Sequence, residues 1–211
     1  IGEEFQRIFG IRSVMMLLAQ YNIDAATSIK VWKRWGAHAP DLLREDPYVL
    51  CCEEIGMEFP EVEPIAAQLD ISPQDPNRLQ AGLTYVLRHN LNNGHSCIPR
   101  ATLLSLTAKL LEVDPPLLEE ELGGMVQREE LFQKQLDGTD FLYLPALFLA
   151  EDYCASRLGM MLALPQETAN EALEHAVDQL EAEIGIAYAN LQRKAILQAM
   201  THNLFILTGG P

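Results

Sequence analysis

The sequence has little that would place it in a membrane or in an oxidising compartment. Its longest nearly apolar run, 141–150, contains Pro145 and is too short to cross a bilayer, and no segment has the pattern of a signal peptide. No CxxC pair occurs among the cysteines, which we interpret as buried thiols of a reducing compartment, the cytoplasm. They are Cys51, Cys52, Cys97 and Cys154.

Basic residues are also scarce, because 15 lysines and arginines stand against 30 acidic residues and leave a net charge of −15. Residues 1–50 contain six residues of each sign, so the whole acidic excess lies in 51–211. A surface that binds nucleic acid is normally basic. If DNA touches this chain, we therefore expect the contact within residues 1–50, with the acidic remainder facing solvent or protein.

Apolar residues recur at helical spacing along most of the chain, which predicts a mainly α-helical fold. The expected helices lie at about 3–9, 12–20, 25–35, 39–45, 60–69, 76–92, 99–111, 115–129, 145–162, 167–183 and 190–201. Asp24 suits the N-cap of the 25–35 helix, whose inward face is predicted to carry Ile29 and Trp32, and Gly36 suits its end.

Three segments are expected to be extended. Asp137-Gly138 separates two apolar runs, which predicts a β-hairpin over 131–144, and a short strand is expected at 95–98. The run 204–208 is apolar and precedes a glycine, which is typical of a buried parallel strand.

The end of the chain has the beginning of a phosphate-binding pattern. A P-loop follows a strand with the form GxxxxGK and then Ser or Thr, and Gly209-Gly210-Pro211 would be its first part. An ordinary turn after a strand is the alternative. With Gln192 in the helix just upstream, the arrangement resembles the start of a superfamily 1 helicase motor. The resemblance implies that Gln192 reads the adenine of ATP and that Gly209, Gly210 and Pro211 bind nucleotide in the parent protein.

The upstream residues extend this resemblance along the chain. Residues 18–50, 55–67, 81–99 and 143–147 are similar, in order, to the region before the motor in RecD/TraA-type ATP-dependent DNA helicases. We therefore expect an N-terminal piece of such a helicase that ends within the Walker A loop. The resemblance implies ATP and Mg²⁺ as cofactors of the parent protein, 5′ to 3′ movement on DNA, and a role in recombination or repair.

In the helix-hairpin-helix of that family, a Gly-apolar-Gly turn presents backbone N–H groups to a DNA phosphate, and nearby cations assist. Both turns are eroded here, because the first reads Asn22-Ile23-Asp24 and the second has Glu58 in place of a glycine. The DNA-binding candidates are Asn22, Ile23, Lys30, Lys33 and Arg34. A solvated helix face is the alternative interpretation of the three cations, and Trp32 and Trp35 are expected in the core.

Two other features are expected to have no direct chemical role. The 115–129 helix contains Glu119, Glu120 and Glu121, whose charge would repel phosphates, so we interpret it as a spacer or docking element. His89, His95 and Cys97 lie close in sequence but lack a fourth ligand, so no metal site is expected.

These observations predict a degenerate tandem helix-hairpin-helix at 1–72, a winged-helix-like accessory module with a small β-hairpin at 73–162, and the first helix and strand of a RecA-like motor at 163–211. The expected partner is single-stranded or forked DNA, reached through the parent protein, with possible docking on the motor domains and no membrane. The rival interpretation is an acidic protein-interaction module of a P-loop ATPase that does not contact DNA.

This chain by itself is expected to bind no cofactor and to hydrolyse no ATP, because the P-loop lysine and hydroxyl that hold phosphate and Mg²⁺ are not in it. A coupled phosphate-release assay on the purified chain, with and without DNA, measures this directly. Turnover that survives repurification would contradict the expectation.

Overall fold

The computed structural model describes residues 2–91, 93–165 and 170–209. The helices of this part of the chain are α1 (Gly2–Ala19), α2 (Ala25–Trp35), α3 (Ala39–Glu45), α4 (Phe59–Gln68), α5 (Pro76–Leu91), α6 (Arg100–Leu111), α7 (Pro115–Gln127), α8 (Pro145–Ala163), α9 (Glu171–Ile184) and α10 (Asn190–Thr201). The strands are β1 (Cys97–Pro99), β2 (Phe132–Leu136) and β3 (Thr139–Tyr143). Short 3-10 turns occupy Gly36–His38 and Pro47–Cys51. None of the described helices is long and apolar enough to span a membrane.

The first helix corrects the sequence prediction, because α1 runs unbroken where two helices were expected at 3–9 and 12–20. Gly10 lies in its interior and does not interrupt it. A Cβ atom built on Gly10 would lie 2.1 Å from an atom of the Trp32 indole. The Trp32 ring of α2 therefore packs directly against the α1 backbone at Gly10. The missing side chain therefore serves a close helix contact rather than a helix end.

The small sheet confirms the predicted hairpin. Its strand order is β1-β3-β2 with both pairings antiparallel, and Tyr143 pairs with Cys97 on one side and Phe132 on the other. Asp137 and Gly138 connect β2 to β3 with φ of 48° and 78°. Positive φ at both central residues is what a two-residue hairpin turn requires.

Residues 1–148 form one compact unit, and its buried apolar residues make a cluster that runs from Val14 to Leu142. The hairpin turns and the sheet thus share a core across the boundary expected near residue 72. The second unit comprises 149–211, so the contact division falls inside α8. The functional boundaries at 72 and 162 stay predictions.

A hydrogen-bonded network fastens the hairpin region of the first unit to α5 and α6. Glu63 accepts from Arg78 Nε at 3.0 Å and Nη2 at 2.7 Å, and from the Tyr48 hydroxyl at 2.6 Å. Arg78 Nη1 also donates to the carbonyls of Pro73 and Leu111. Burial works to raise the pKa of Glu63, but the bonds and charge of Arg78 and the Tyr48 hydroxyl hold it below its usual value.

The second unit is held together more by charge than by apolar burial. Val177 and Thr201 are buried there, whereas most of the described apolar side chains are partly or fully exposed. Arg193 on α10 pairs with Asp178 and Glu181 on α9, and the Glu181 carboxylate also accepts from the Tyr188 N–H at 2.7 Å. These bonds join the two helices into a hairpin.

The strand predicted at 204–208 does not form. Residues 202–209 are irregular, and Ile206 and Leu207 are 76% and 73% exposed. A strand is stabilised by hydrogen bonds to a neighbouring strand, and none of the described strands pairs with this segment. The cysteines also differ from expectation, since three are half-buried and Cys154 is exposed. All four are free thiols, and burial raises the pKa of Cys51 to about 12.

The contact between Gly10 and Trp32 predicts opposite effects for two glycine-to-alanine changes. Gly10→Ala should lower the free energy of unfolding, because overpacking costs about 1–3 kcal/mol and exceeds the roughly 0.5–1 kcal/mol gained in helix propensity. Gly123→Ala in α7 is the matched control, since its added Cβ would meet no atom within 4 Å and should stabilise. Urea denaturation measures both, and an equal gain in the two variants would contradict the packing argument.

Candidate nucleic-acid interface

The first hairpin turn uses its own N–H groups to end α1. Asn22 has φ of 59°, its N–H donates to Ala19 O at 3.1 Å, and the Ile23 N–H donates to Leu18 O at 3.1 Å. This is the Schellman arrangement, and buried Ile23 and Leu18 give it the apolar contact that accompanies it. The two amides expected to reach a phosphate are therefore occupied within the turn.

The N-terminus of α2 already holds an anion. Asp24 Oδ1 accepts from the Thr27 N–H at 2.7 Å and Oδ2 accepts from the Thr27 hydroxyl at 3.1 Å, which confirms the predicted cap. These bonds to Thr27 are the main reason that the pKa of Asp24 is lowered. A phosphate at this helix end would have to displace the carboxylate or share the positive end of the helix dipole with it.

The cations of α2 lie on the exposed face, as the sequence predicted, but they differ in what they contact. Lys30 Nζ donates to Ile55 O at 3.0 Å, and Arg34 Nη1 pairs with Glu54 Oε1 at 2.6 Å. Lys33 makes no hydrogen bond or ion pair with the part of the chain that the structure describes. Lys33 is thus the cation of this face most open to a phosphate.

The buried face of α2 differs from the predicted one, because it is centred one residue earlier in the sequence than Ile29 and Trp32. Ser28 and Val31 are buried, with Trp32 and Trp35 packed half-buried against the core, whereas Ile29 is 40% exposed. Val31, Trp32 and Trp35 follow Ser28 at the helical spacing of i+3, i+4 and i+7, which is one face of a helix. Both tryptophans therefore belong to the packing, as expected, and do not form a base-stacking surface.

The second turn is also closed to a phosphate. Gly56 has φ of 79° and donates its N–H to Cys52 O at 2.8 Å, and the Met57 N–H donates to Leu50 O at 3.2 Å. The Glu58 N–H donates to Glu61 Oε2 at 2.7 Å. The Glu61 carboxylate thus occupies a backbone N–H that a phosphate at this turn would need.

The acidic residues of α7 serve as structural contacts. Glu119 pairs with Arg100 at 2.8 Å, and Glu121 accepts from Gln80 Nε2 at 2.7 Å. Both bonds tie α7 to neighbouring helices, so its carboxylates are not a simple solvated row. Among the described residues, no group of three or more His, Cys, Asp or Glu is placed to hold a metal ion.

The nucleotide-binding candidates lie in the second unit. Gln192 Oε1 accepts from the Ala189 N–H at 2.9 Å, so its amide caps α10. It also lines an apolar groove of about 430 Å³ with Tyr188 and Phe205. Gly209 is irregular, and Gly210 and Pro211 lie outside the described residues.

The comparison with protein families agrees with this geometry. Residues 7–97 match the family model described as the HHH domain of the ATP-dependent RecD2 DNA helicase. The matched stretch contains both hairpin turns and the basic face of α2. The match supports assignment of this stretch to the N-terminal region of a RecD-type helicase, and it suggests a helicase accessory region.

The different bonds of Lys30 and Lys33 predict different effects on stability. Lys30→Ala should lower the free energy of unfolding by about 0.5–1 kcal/mol, because it removes a charged donor from the part-buried carbonyl of Ile55. Lys33→Ala should change it by less than about 0.5 kcal/mol. Urea midpoints measure both changes, and equal midpoints would show that the bond to Ile55 contributes nothing in solution.

Proposed function

We propose that this chain is an N-terminal accessory region of an ATP-dependent DNA helicase of the RecD type. The single observation that carries the proposal is the family match over the two hairpin turns. The parent protein would act in DNA recombination or repair and move 5′ to 3′ on single-stranded or forked DNA, as the resemblance implies.

The DNA contact that we propose is weak and uses α2. Lys33 is open, Arg34 shares its charge with an exposed glutamate, and Lys30 is engaged by Ile55. Exposed ion pairs contribute little to stability because solvent screens them, so Arg34 can exchange Glu54 for a phosphate at little cost. Because the whole chain carries a net charge of −15, we expect a Kd no tighter than on the order of 10⁻⁵ M at physiological salt.

The remaining regions are assigned in the same proposal. We take α5–α7 and the three strands as a winged-helix module, supported by the order helix, strand, two helices and hairpin and by the pairing of β1 with β3. We take α10 as the helix before the motor's P-loop, with Gln192, Gly209, Gly210 and Pro211 binding ATP in the parent. The apolar groove beside Gln192 would suit the face of an adenine ring.

A docking module that never touches DNA is the second candidate. The observation that favours it is the closure of both hairpin turns, whose N–H groups are bonded within the protein. On this alternative, Lys30 and Arg34 only stabilise the neighbouring turn, and Lys33 is a solvated side chain.

The double variant Lys33→Ala/Arg34→Ala separates the two candidates. If α2 binds DNA, the variant should lose affinity for all sequences alike, and the slope of log K against log salt, roughly −1.8 on duplex for two phosphates, should flatten towards zero. Fluorescence anisotropy with labelled forked DNA at several salt concentrations measures this.

Lys109→Ala is the matched control, because Lys109 is an exposed lysine on α6 outside this face. It should leave both affinity and slope nearly unchanged. A double variant that binds forked DNA as tightly as the parent chain would leave the docking module as the function of this region.

A further inference from the structure

A groove runs along the second hairpin turn, on residues that the proposed DNA contact does not use. One hollow of about 520 Å³ lies between this turn, α5 and the end of α7, and a second of about 800 Å³ lies towards the start of α8. Both are lined by Glu58, Tyr85 and Arg88, so the two hollows are adjacent, and we call them together the groove. Each hollow by itself has a volume in the range of sites that hold a ligand-sized group.

The floor of the groove is aromatic. Phe59 stacks on Tyr48 with ring centroids 5.6 Å apart and contacts Tyr85 at 5.7 Å. Tyr48 and Phe59 are buried at 5% and 3% exposure, while Tyr85 is half-buried and forms part of the open wall. Met57 also lines this wall. These side chains offer an apolar seat for a partner's side chain.

The rim of the groove is acidic. Asp46, Glu53, Glu58 and Glu130 line it, and Arg88 is its one arginine or lysine among the described lining residues. Arg88 donates to the Cys51 carbonyl at 3.0 Å and is not paired with any of these carboxylates in the described part of the chain. Glu130 is already neutralised by Arg128. Among the described residues, three carboxylates are thus left without an ion-pair partner, beside one arginine that is likewise unpaired, so the lining keeps a negative excess.

Asp46 is the most constrained of the three. It is half-buried, and its Oδ1 accepts from the Tyr48 N–H at 2.9 Å to cap the 3-10 turn. Burial raises its pKa, the Tyr48 N–H offsets part of this, and the Asp75 carboxylate adds repulsion. No lysine or arginine of the described residues forms an ion pair with it. An incoming cation would supply the missing counter-charge.

We propose that this groove is a docking site for a basic polypeptide segment, in which a lysine or arginine meets Asp46 and Glu58 and a neighbouring apolar side chain rests on Tyr85 and Met57. Charge complementarity selects this occupant, because an acidic peptide or a nucleic acid would meet the same uncompensated carboxylates with like charge. The groove shares no lining residue with the α2 face.

The test uses this chain and a short fluorescein-labelled peptide in which lysines alternate with leucine and tryptophan. Binding is measured by anisotropy at about 0.15 M salt, where the Debye length is about 8 Å and long-range attraction is largely screened. Asp46→Asn should weaken binding about tenfold. The asparagine oxygen still accepts the Tyr48 N–H, so the turn keeps its cap.

Asp70→Asn is the control for overall charge. Asp70 is exposed, lies outside the groove and has φ of 55°, a conformation that asparagine tolerates. It should bind the peptide as the parent chain does. Equal weakening by Asp46→Asn and Asp70→Asn would reveal non-specific attraction to an acidic protein and overturn the proposal.

Thr84→Lys gives a second, independent test, since Thr84 lines the groove and is half-exposed. The added cation should exclude the basic peptide, and circular dichroism checks that the fold is unchanged. Unaltered binding by folded Thr84→Lys would place the peptide elsewhere. Direct binding of labelled single-stranded DNA that Arg88→Ala weakens, Arg88 being the one arginine or lysine of the described lining, would instead make this a nucleic-acid site and would also overturn the proposal.

Discussion

The hydrogen bonds of the Arg78 guanidinium connect several elements of the 1–148 unit, and the packing of this unit depends on them. The guanidinium holds the Glu63 carboxylate with two nitrogens and also reaches the carbonyls of Pro73 and Leu111, so one side chain ties α4, the loop after it, α5 and α6 together. An ionised carboxylate is costly to bury unless its charge is matched and its oxygens are bonded. The planar fork of arginine meets both conditions, whereas a lysine at this position would supply the charge and a donor but not the paired geometry that holds both carboxylate oxygens. Because α4 begins directly after the second hairpin turn, the Arg78 contacts also anchor the C-terminal side of that turn.

Local patterns predicted most of the helices and the hairpin, because capping residues, helical spacing and an Asp-Gly turn act over a few residues. The wrong predictions concern positions whose structure is determined by residues far away in the sequence. Gly10 is compatible with a helix end until Trp32, which lies 22 positions later, is seen to occupy the space of its missing side chain. Ile29 was expected inside, but the side that packs is centred on Ser28 and Val31. The apolar run 204–208 pairs with none of the described strands. A hydrophobic pattern within one segment cannot show whether a partner strand is present.

The candidate interface was predicted in outline and missed in its contacts. Exposure of Lys30, Lys33 and Arg34 follows from spacing within one helix. Their partners do not, because Glu54 and the Ile55 carbonyl lie 20 and 25 residues away in the second turn. The same holds for the groove beside that turn. Its aromatic floor and acidic rim come from segments between Asp46 and Ala146, and no short motif marks them.

The hydrogen bond from Lys30 to the Ile55 carbonyl connects α2, the helix after the first turn, to the second turn. The ammonium belongs to the helix of the first turn, yet it holds a carbonyl of the second. An anion that attracts the Lys30 ammonium away from Ile55 would break this hydrogen bond and remove one of the contacts that stabilise the second turn. In the reverse direction, a ligand that strengthens the bond between Lys30 and Ile55 would make the Lys30 ammonium less available to an anion at α2. Linkage of this kind is equal in both directions, so whatever free energy the first event passes to the second, the second returns to the first.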